Sequence, residues 1–207
     1  MLGDILMAEH YYTSKPTVAS NQKTQVFVLK GNSFSFTSDS GVFSKNEVDF
    51  GSRLLVEEFK APTVPGPFLD VGCGYGPIGL ALAKVHNDRL VEMIDVNERA
   101  IELSIKNAEI NKVTNVDIHQ SDLFTSVEKR GFAAIISNPP IRAGKKVVHH
   151  ILEESYQYLV TGGELWVVIQ KKQGAPSAIE KLEMVFEEVE IVERKKGYHI
   201  IKAKRTK

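Results

Sequence analysis

Residues 68–79 read Phe68-Leu69-Asp70-Val71-Gly72-Cys73-Gly74-Tyr75-Gly76-Pro77-Ile78-Gly79. A short apolar run ends in Asp70, glycines follow at Gly72, Gly74, Gly76 and Gly79, and Pro77 opens a run of good helix formers, Leu80-Ala81-Leu82-Ala83. The pattern predicts a strand, a tight turn and a helix. Glycine takes positive φ and lets backbone approach a ligand, and proline in the first turn of a helix forfeits no hydrogen bond. Such a turn is expected to set amide NH groups and a helix N-terminus against something bound.

Downstream of this stretch, strands and helices alternate, which predicts a largely parallel sheet covered on both faces. Strands are expected at 90–94, ending in Asp95, at 115–119, at 132–137 and at 165–169. Asn97 can cap a helix whose Ile101, Ile105 and Ala108 share a face. Ser121-Asp122-Leu123-Phe124 follows the third strand, and further helices are expected at 146–159 and 177–186, with a break at Gly162-Gly163 before the fifth strand. The last two strands, 189–192 and 198–203, are joined by Arg194-Lys195-Lys196-Gly197, a link too short for a parallel crossover, so the final strand must run antiparallel.

Upstream, residues 1–60 read as a module attached to a core of 61–207. A short helix or frayed end at 1–9 leads to an aromatic and basic stretch with His10, Tyr11, Tyr12, Lys15 and Pro16. Alternating residues at 25–29 and 33–37 flank Gly31-Asn32, a hairpin signal. A helix is expected from about Glu47 to Phe59, with Val48, Leu55, Val56 and Phe59 on its apolar face.

The composition of the 207 residues sets outer limits. The length suits one domain with a sizeable core. One cysteine, Cys73, permits no internal disulfide, which fits a reducing, cytoplasmic setting. Within the glycine turn it reads as a small side chain and not as a nucleophile, because no His or Asn lies near it in sequence. Lys plus Arg and Asp plus Glu number 26 each, so the chain has no bulk attraction for polyanions and any nucleic-acid binding needs a local patch. No apolar run reaches membrane-span length and no secretory signal is read at the N-terminus. Nothing specific points to self-association.

The glycines fit two registers. Gly74, Gly76 and Gly79 match the Gly-x-Gly-x-x-Gly fingerprint of nicotinamide and flavin enzymes. Taken from Asp70, the same residues give Asp-x-Gly-x-Gly-x-Gly, the first motif of the class I S-adenosylmethionine-dependent methyltransferases, which residues 43–204 resemble. A carboxylate at that strand end suits a cationic cofactor better than a pyrophosphate. The resemblance implies a Rossmann-like α/β fold with a seven-stranded, mostly parallel sheet, an antiparallel last strand, helices on both faces and here an N-terminal β-hairpin extension. It also implies S-adenosyl-L-methionine as cofactor, with Phe43, Asp70, Gly72, Cys73, Gly74, Asp95, Val96, Asp122, Leu123 and Asn138 as its binding residues. In that reading Asp95 takes the ribose hydroxyls, and Asp122 and Leu123 meet the adenine.

Ser137-Asn138-Pro139-Pro140-Ile141 speaks to what accepts the methyl group. Neither proline has an NH, so this corner offers backbone acceptors, to which the Asn138 side-chain oxygen adds another. It resembles the Asn/Asp-Pro-Pro-x motif of amino methyltransferases acting on exocyclic base nitrogens or glutamine amides, which implies Asn138, Pro139, Pro140 and Ile141 as the catalytic set, with no metal. Together with Gly41-Val42-Phe43-Ser44 and Asp49-Phe50-Gly51-Ser52-Arg53, it looks most like the small-subunit (16S) ribosomal RNA guanine-N2 methyltransferases. Ribosomal RNA or the small subunit is then the expected partner. A protein glutamine amide, or another RNA or DNA amino group, is the alternative. Ile141 stands where many members carry an aromatic that stacks on the base, so Phe43, Tyr11 or Tyr12 is expected to supply one. Arg142, Lys145, Lys146, His149 and His150, with Lys171 and Lys172, form the expected phosphate-binding rim.

Overall fold

The structure, a computed structural model, describes residues 18–42, 44 and 47–207. The expected helix or frayed end at 1–9 and the residues Tyr11, Tyr12 and Phe43 lie outside the described residues.

Two strands, β1 (Lys23–Leu29) and β2 (Asn32–Ser38), form an antiparallel hairpin. Its turn is Lys30-Gly31, one residue earlier than the sequence suggests, because Asn32 pairs with Leu29 and the two turn residues both take positive φ, +47° and +76°. That is the twist a two-residue hairpin requires. Helix α1 (Phe50–Glu58) follows and is shorter than the expected span by its first turn, since Asp49 caps it by accepting from the Ser52 NH. Its C-terminal end is closed by the hairpin: the Lys30 ammonium donates to the carbonyls of Val56 (2.9 Å), Glu57 and Phe59, a cation where the helix dipole is negative.

The remaining elements alternate as read: β3 (Phe68–Val71), α2 (Pro77–Val85), β4 (Val91–Asp95), α3 (Glu98–Ile110), β5 (Val116–Gln120), β6 (Phe132–Ser137), α4 (Lys145–Tyr158), β7 (Leu159–Gln170), α5 (Ala175–Glu183), β8 (Glu188–Lys195) and β9 (Tyr198–Lys204). The seven core strands lie in the order β5-β4-β3-β6-β7-β9-β8, and β9 alone runs opposite to the other six. The expected fold class is borne out. Because β4 and β6 lie on opposite sides of β3, the chain reverses its direction of winding there, and a crevice opens beyond the carboxyl ends of these strands.

Strand β6 is buried at every position, as a central strand covered on both faces must be. Ile136 packs with α1, α2 and α3 on one side, and Ile135 with α4 and α5 on the other. Phe59, at the end of α1, meets Phe68, His86 and Trp166 edge-on at 5.5, 5.9 and 5.3 Å. One such buried ring contributes about 1.5–3 kcal/mol, and it binds α1 to the sheet.

Three further expectations differ from the structure. Ile105 is 43 % exposed; the buried face of α3 instead carries Ile101, Ser104, Asn107 and Ala108. The reason is that α3 covers the edge of the hairpin with amides. The Asn107 side chain accepts from the Thr37 NH (2.8 Å) and donates to the Thr37 carbonyl (2.9 Å), while Asn111 does the same to Ser35. Spaced i, i+4 on a helix, the two asparagines meet residues i, i+2 on a strand and stand in for a further strand. Second, Gly162-Gly163 does not break the chain but sits inside the 12-residue β7. There the register against β6 shifts, and Gly162 and Gly163 exchange backbone hydrogen bonds with Arg205. A Cβ at Gly163 would lie 2.9 Å from two carbonyl oxygens, so only glycine lets the irregular strand stay paired. Third, the first core strand continues past Asp70 to Val71. Among the described residues no helix is long and apolar enough to cross a membrane.

Candidate active site

The crevice beyond the strand ends is a cleft of about 510 Å³. Of the expected cofactor residues it is lined by Gly72, Cys73, Gly74, Asp95, Val96, Asp122, Leu123 and Asn138, and all four residues of the Asn-Pro-Pro-Ile corner line it too. Phe43 lies outside the described residues, although its neighbours Val42 and Ser44 line the cleft.

Asp70 does not line it. Its side chain is fully buried beneath the turn, where Oδ2 accepts from the Gly79 NH at 2.8 Å. It therefore ties the turn to α2 and does not face a ligand. Its other oxygen has no partner. Burial, opposed by the Gly79 hydrogen bond and reinforced by the nearby Asp95 charge, raises its pKa to about 7. An acid whose pKa is higher folded than unfolded binds more protons in the folded state between the two values. Its contribution is thus complete below about pH 4 and is lost as pH rises through 7. The ligand-free protein is expected to lose up to about 4 kcal/mol of stability from this group across that window. In Asp70→Asn, which keeps an oxygen for Gly79, this loss disappears. Thermal unfolding of both proteins at pH 5 and 8 checks it; equal slopes would refute it.

The turn itself also differs from the anion cradle its glycines suggest. The NH groups of Gly72 and Cys73 donate to the Ile94 carbonyl, that of Gly74 to Asp95 Oδ2 (2.9 Å), that of Gly76 to the Cys73 carbonyl and that of Gly79 to Asp70. These amides are spent inside the chain, and two of them on carboxylates. A pyrophosphate would find acids where the nicotinamide fingerprint needs donors. The glycines divide into two pairs. At Gly76 and Gly79 a Cβ would press within 2.7 Å of Ser104 and Met93, so these serve packing. At Gly72 and Gly74, with φ of +77° and +57°, a Cβ would meet nothing within 4 Å; these keep the cleft wall low.

Asp95 ends β4 with each oxygen holding one backbone NH, Gly74 on Oδ2 and Asn97 on Oδ1, both at 2.9 Å. A carboxylate oxygen has two lone pairs, so each keeps one for a ligand hydroxyl. Burial pushes its pKa up, against the hydrogen bonds that the backbone supplies. Asn97 next to it caps α3 and donates to the Gly41 carbonyl, which brings the Gly41–Val42 segment to the rim. Exposed Asp122 and left-handed Leu123 (φ +51°) follow β5 in a turn built by Ser121, whose hydroxyl donates to the Leu123 carbonyl and accepts from the Ser126 NH. Burial, then the nearby Asp95 and Asp70, push the Cys73 thiol well up, so it stands in the wall as a neutral small side chain.

At the other end of the cleft Asn138 leaves β6. Its Nδ2 donates to Asp49 Oδ2 (3.1 Å) and Ser52 Oγ (2.9 Å), which leaves Oδ1 as its acceptor. Asp49 and Ser52 come from the start of α1 and line the cleft; the sequence singled out the Asp49-Phe50-Gly51-Ser52-Arg53 stretch for its family resemblance but gave these two side chains no role at the site. The signal was there in Asp49 followed by Ser52, a cap spacing. Tyr198 was also missed. It comes from β9, lines the cleft with Gln170 and Gln173, and stacks at a tilt 5.5 Å from Phe50, over which the Lys196 ammonium lies at 4.8 Å. Gly51 is required beside it, since a Cβ there would come 2.8 Å from the Tyr198 ring.

Of the expected basic rim, Arg142 lines the cleft, Lys145 and Lys146 open α4 with exposed side chains, and Lys171 and Lys172 form an exposed turn between Gln170 and Gln173. The histidines drop out. His149 meets Ser177 of α5 at 3.2 Å and is held below its usual pKa by burial and by Lys145 and Lys181, while His150 pairs with Glu154.

Residues 33–202 match the methyltransferase small domain family. The chain belongs to that family. Among its relatives, this methyltransferase is 65% identical over 200 residues to the uncharacterized protein YbxB of Bacillus subtilis, across 96% of this chain and all of that one. It is 30% identical over 163 residues to the ribosomal RNA small subunit methyltransferase C of Vibrio cholerae, covering 77% of this chain and 47% of that one. The methyltransferase thus spans about half the length of the ribosomal RNA methyltransferases it matches. In fold it is similar to the T. thermophilus 16S rRNA N2 G1207 methyltransferase, solved with AdoMet and guanosine, with a TM-score of 0.80 at 24% identity over 92% of this chain and 52% of that one.

Proposed function

We propose that this methyltransferase uses S-adenosyl-L-methionine to methylate an exocyclic amino nitrogen, guanine N2 of 16S ribosomal RNA. The observation that carries the reading is that one continuous cleft has carboxylates and open glycines at one end and the acceptor-only Asn138-Pro139-Pro140 corner at the other. The names of the V. cholerae and T. thermophilus relatives support the RNA substrate.

The cofactor fits on two grounds: the low wall at Gly72 and Gly74, and Asp95 in the lining, whose pKa burial has raised and which therefore favours a cation beside it. Asp95 would hold the ribose, Asp122 and Leu123 the adenine, and the turn at Gly72, Cys73 and Gly74 the amino acid tail. When bound, the cofactor supplies an electrophilic methyl group on a sulfonium. The work of the chain is to orient the nucleophile. A base amino group has its lone pair delocalised into the ring. Asn138 Oδ1 and the Pro139 carbonyl accept its hydrogens, which raises electron density on nitrogen and stabilises the positive charge that develops there. Fixing the amine in one pose supplies the rest of the acceleration. The extra proton then leaves to water. Tyr198, which lines the cleft, is available to flank the base in place of the aromatic absent at Ile141, and Arg142, Lys171 and Lys172 hold the flanking phosphates.

Incubation with methyl-labelled cofactor and separated ribosomal subunits, followed by nuclease digestion, is expected to place the label in N2-methylguanosine from the small subunit. Label in ribosomal protein, with none in RNA, would overturn the RNA reading and select a protein glutamine amide as acceptor.

A further inference from the structure

Asp49 does more than a helix cap needs. A cap needs only a side-chain oxygen for the Ser52 NH, and serine or threonine would serve as well. Here one oxygen, Oδ2, takes both the Ser52 NH (3.2 Å) and, across a sequence separation of 89, the Asn138 amide (3.1 Å), while the hydroxyl of Ser52, a residue 5 % exposed, takes the amide again at 2.9 Å. An asparagine amide presents a donor or an acceptor according to a half-turn about its last bond. With Asp49 beside it, the flipped amide would set carbonyl against carboxylate, so only the pose with Oδ1 toward the cleft survives.

Resting on the function proposed above, we infer that Asp49 and Ser52 are positioning residues that fix the Asn138 amide as an acceptor and polarise it toward the substrate amine. The corner is acceptor-only because a carboxylate 89 positions earlier enforces it, and not through its prolines alone.

The test compares Asp49→Ser/Ser52→Ala, which keeps a cap at position 49 but removes the carboxylate and the hydroxyl to which the Asn138 amide donates, with Asn138→Asp and Asp49→Asn/Asn138→Asp. Circular dichroism and thermal unfolding first establish that each variant is folded. Asp49→Ser/Ser52→Ala is expected to lower kcat about 10- to 30-fold with KM and S-adenosylhomocysteine affinity within about twofold, as loss of a positioning partner does. Asn138→Asp, which opposes two carboxylates, is expected to lose about 100-fold, and Asp49→Asn in that background to recover about tenfold, because the new amide can donate to the new acid. A second readout needs no substrate. In asparagine-labelled protein, the side-chain NH2 pair that vanishes in Asn138→Asp is expected to be protected from exchange in the parent protein and to lose that protection in Asp49→Ser/Ser52→Ala. Unchanged kcat, absent rescue, or unchanged amide exchange would each overturn the inference. If the parent protein methylates no RNA, the functional reading fails, and the amide exchange still decides the positioning.

Discussion

Asn138→Ala is expected to lower methyl transfer by about 10²- to 10³-fold while S-adenosylhomocysteine binds within about twofold of the parent affinity. The amide oxygen has no part in seating the donor if Asp95 and the glycine turn do that, so the loss should fall on kcat. The magnitude is that of removing one preorganised dipole aimed at charge that develops during the reaction. Alanine leaves Asp49 and Ser52 without the Asn138 donor, but both lie at the cleft, where water can replace it, so the fold should survive. Single-turnover transfer with calorimetric cofactor titration separates the two effects. A rate within threefold of the parent's would sink the proposed role of the corner.

Asp95→Ala is expected to have the opposite signature: affinity for cofactor and for S-adenosylhomocysteine should drop by about 100-fold, near 3 kcal/mol, with transfer at saturating cofactor much less affected. Two losses combine. The cleft loses the lone pairs proposed for the ribose diol, and the NH groups of Gly74 and Asn97 lose the acceptor that fixes the turn and the start of α3. Asp95→Asn separates them, since it restores one oxygen to the backbone and gives back only part of the ligand contact. Calorimetry on all three proteins, with melting temperatures alongside, reads the result. Unchanged affinity in a folded Asp95→Ala protein would move the donor site elsewhere.

Most of the architecture was legible because local patterns in this chain agree with its tertiary environment. The six buried residues of β6 could be nothing but a central strand, and the four-residue link before Tyr198 forced an antiparallel end. What escaped the sequence was decided by partners far along the chain. Ile105 obeys helical spacing, yet α3 turns its amides inward because the hairpin edge needs donors and acceptors more than the core needs another isoleucine. Asp70 has the right type for a ligand carboxylate, but the alternation along β3 and the Gly79 amide draw it beneath the turn. Asp49, Ser52 and Tyr198 belong to segments separated from Asn138 by many elements, and no local pattern joins them to it. The phosphate-binding reading of the glycines failed for the same reason: whether an NH is available depends on what already accepts from it.

The committed amides of the glycine turn matter for competition inside a cell. Adenine nucleotides with phosphate tails are abundant wherever RNA is made, and they share their base and sugar with the proposed cofactor. A turn that commits the amides of Gly72, Cys73, Gly74, Gly76 and Gly79, two of them to aspartates, gives such tails little welcome and adds charge repulsion to the refusal. The glycine turn would therefore act as a filter as well as a seat, admitting the adenosine that carries a cation and turning away the far commoner ones that carry anions.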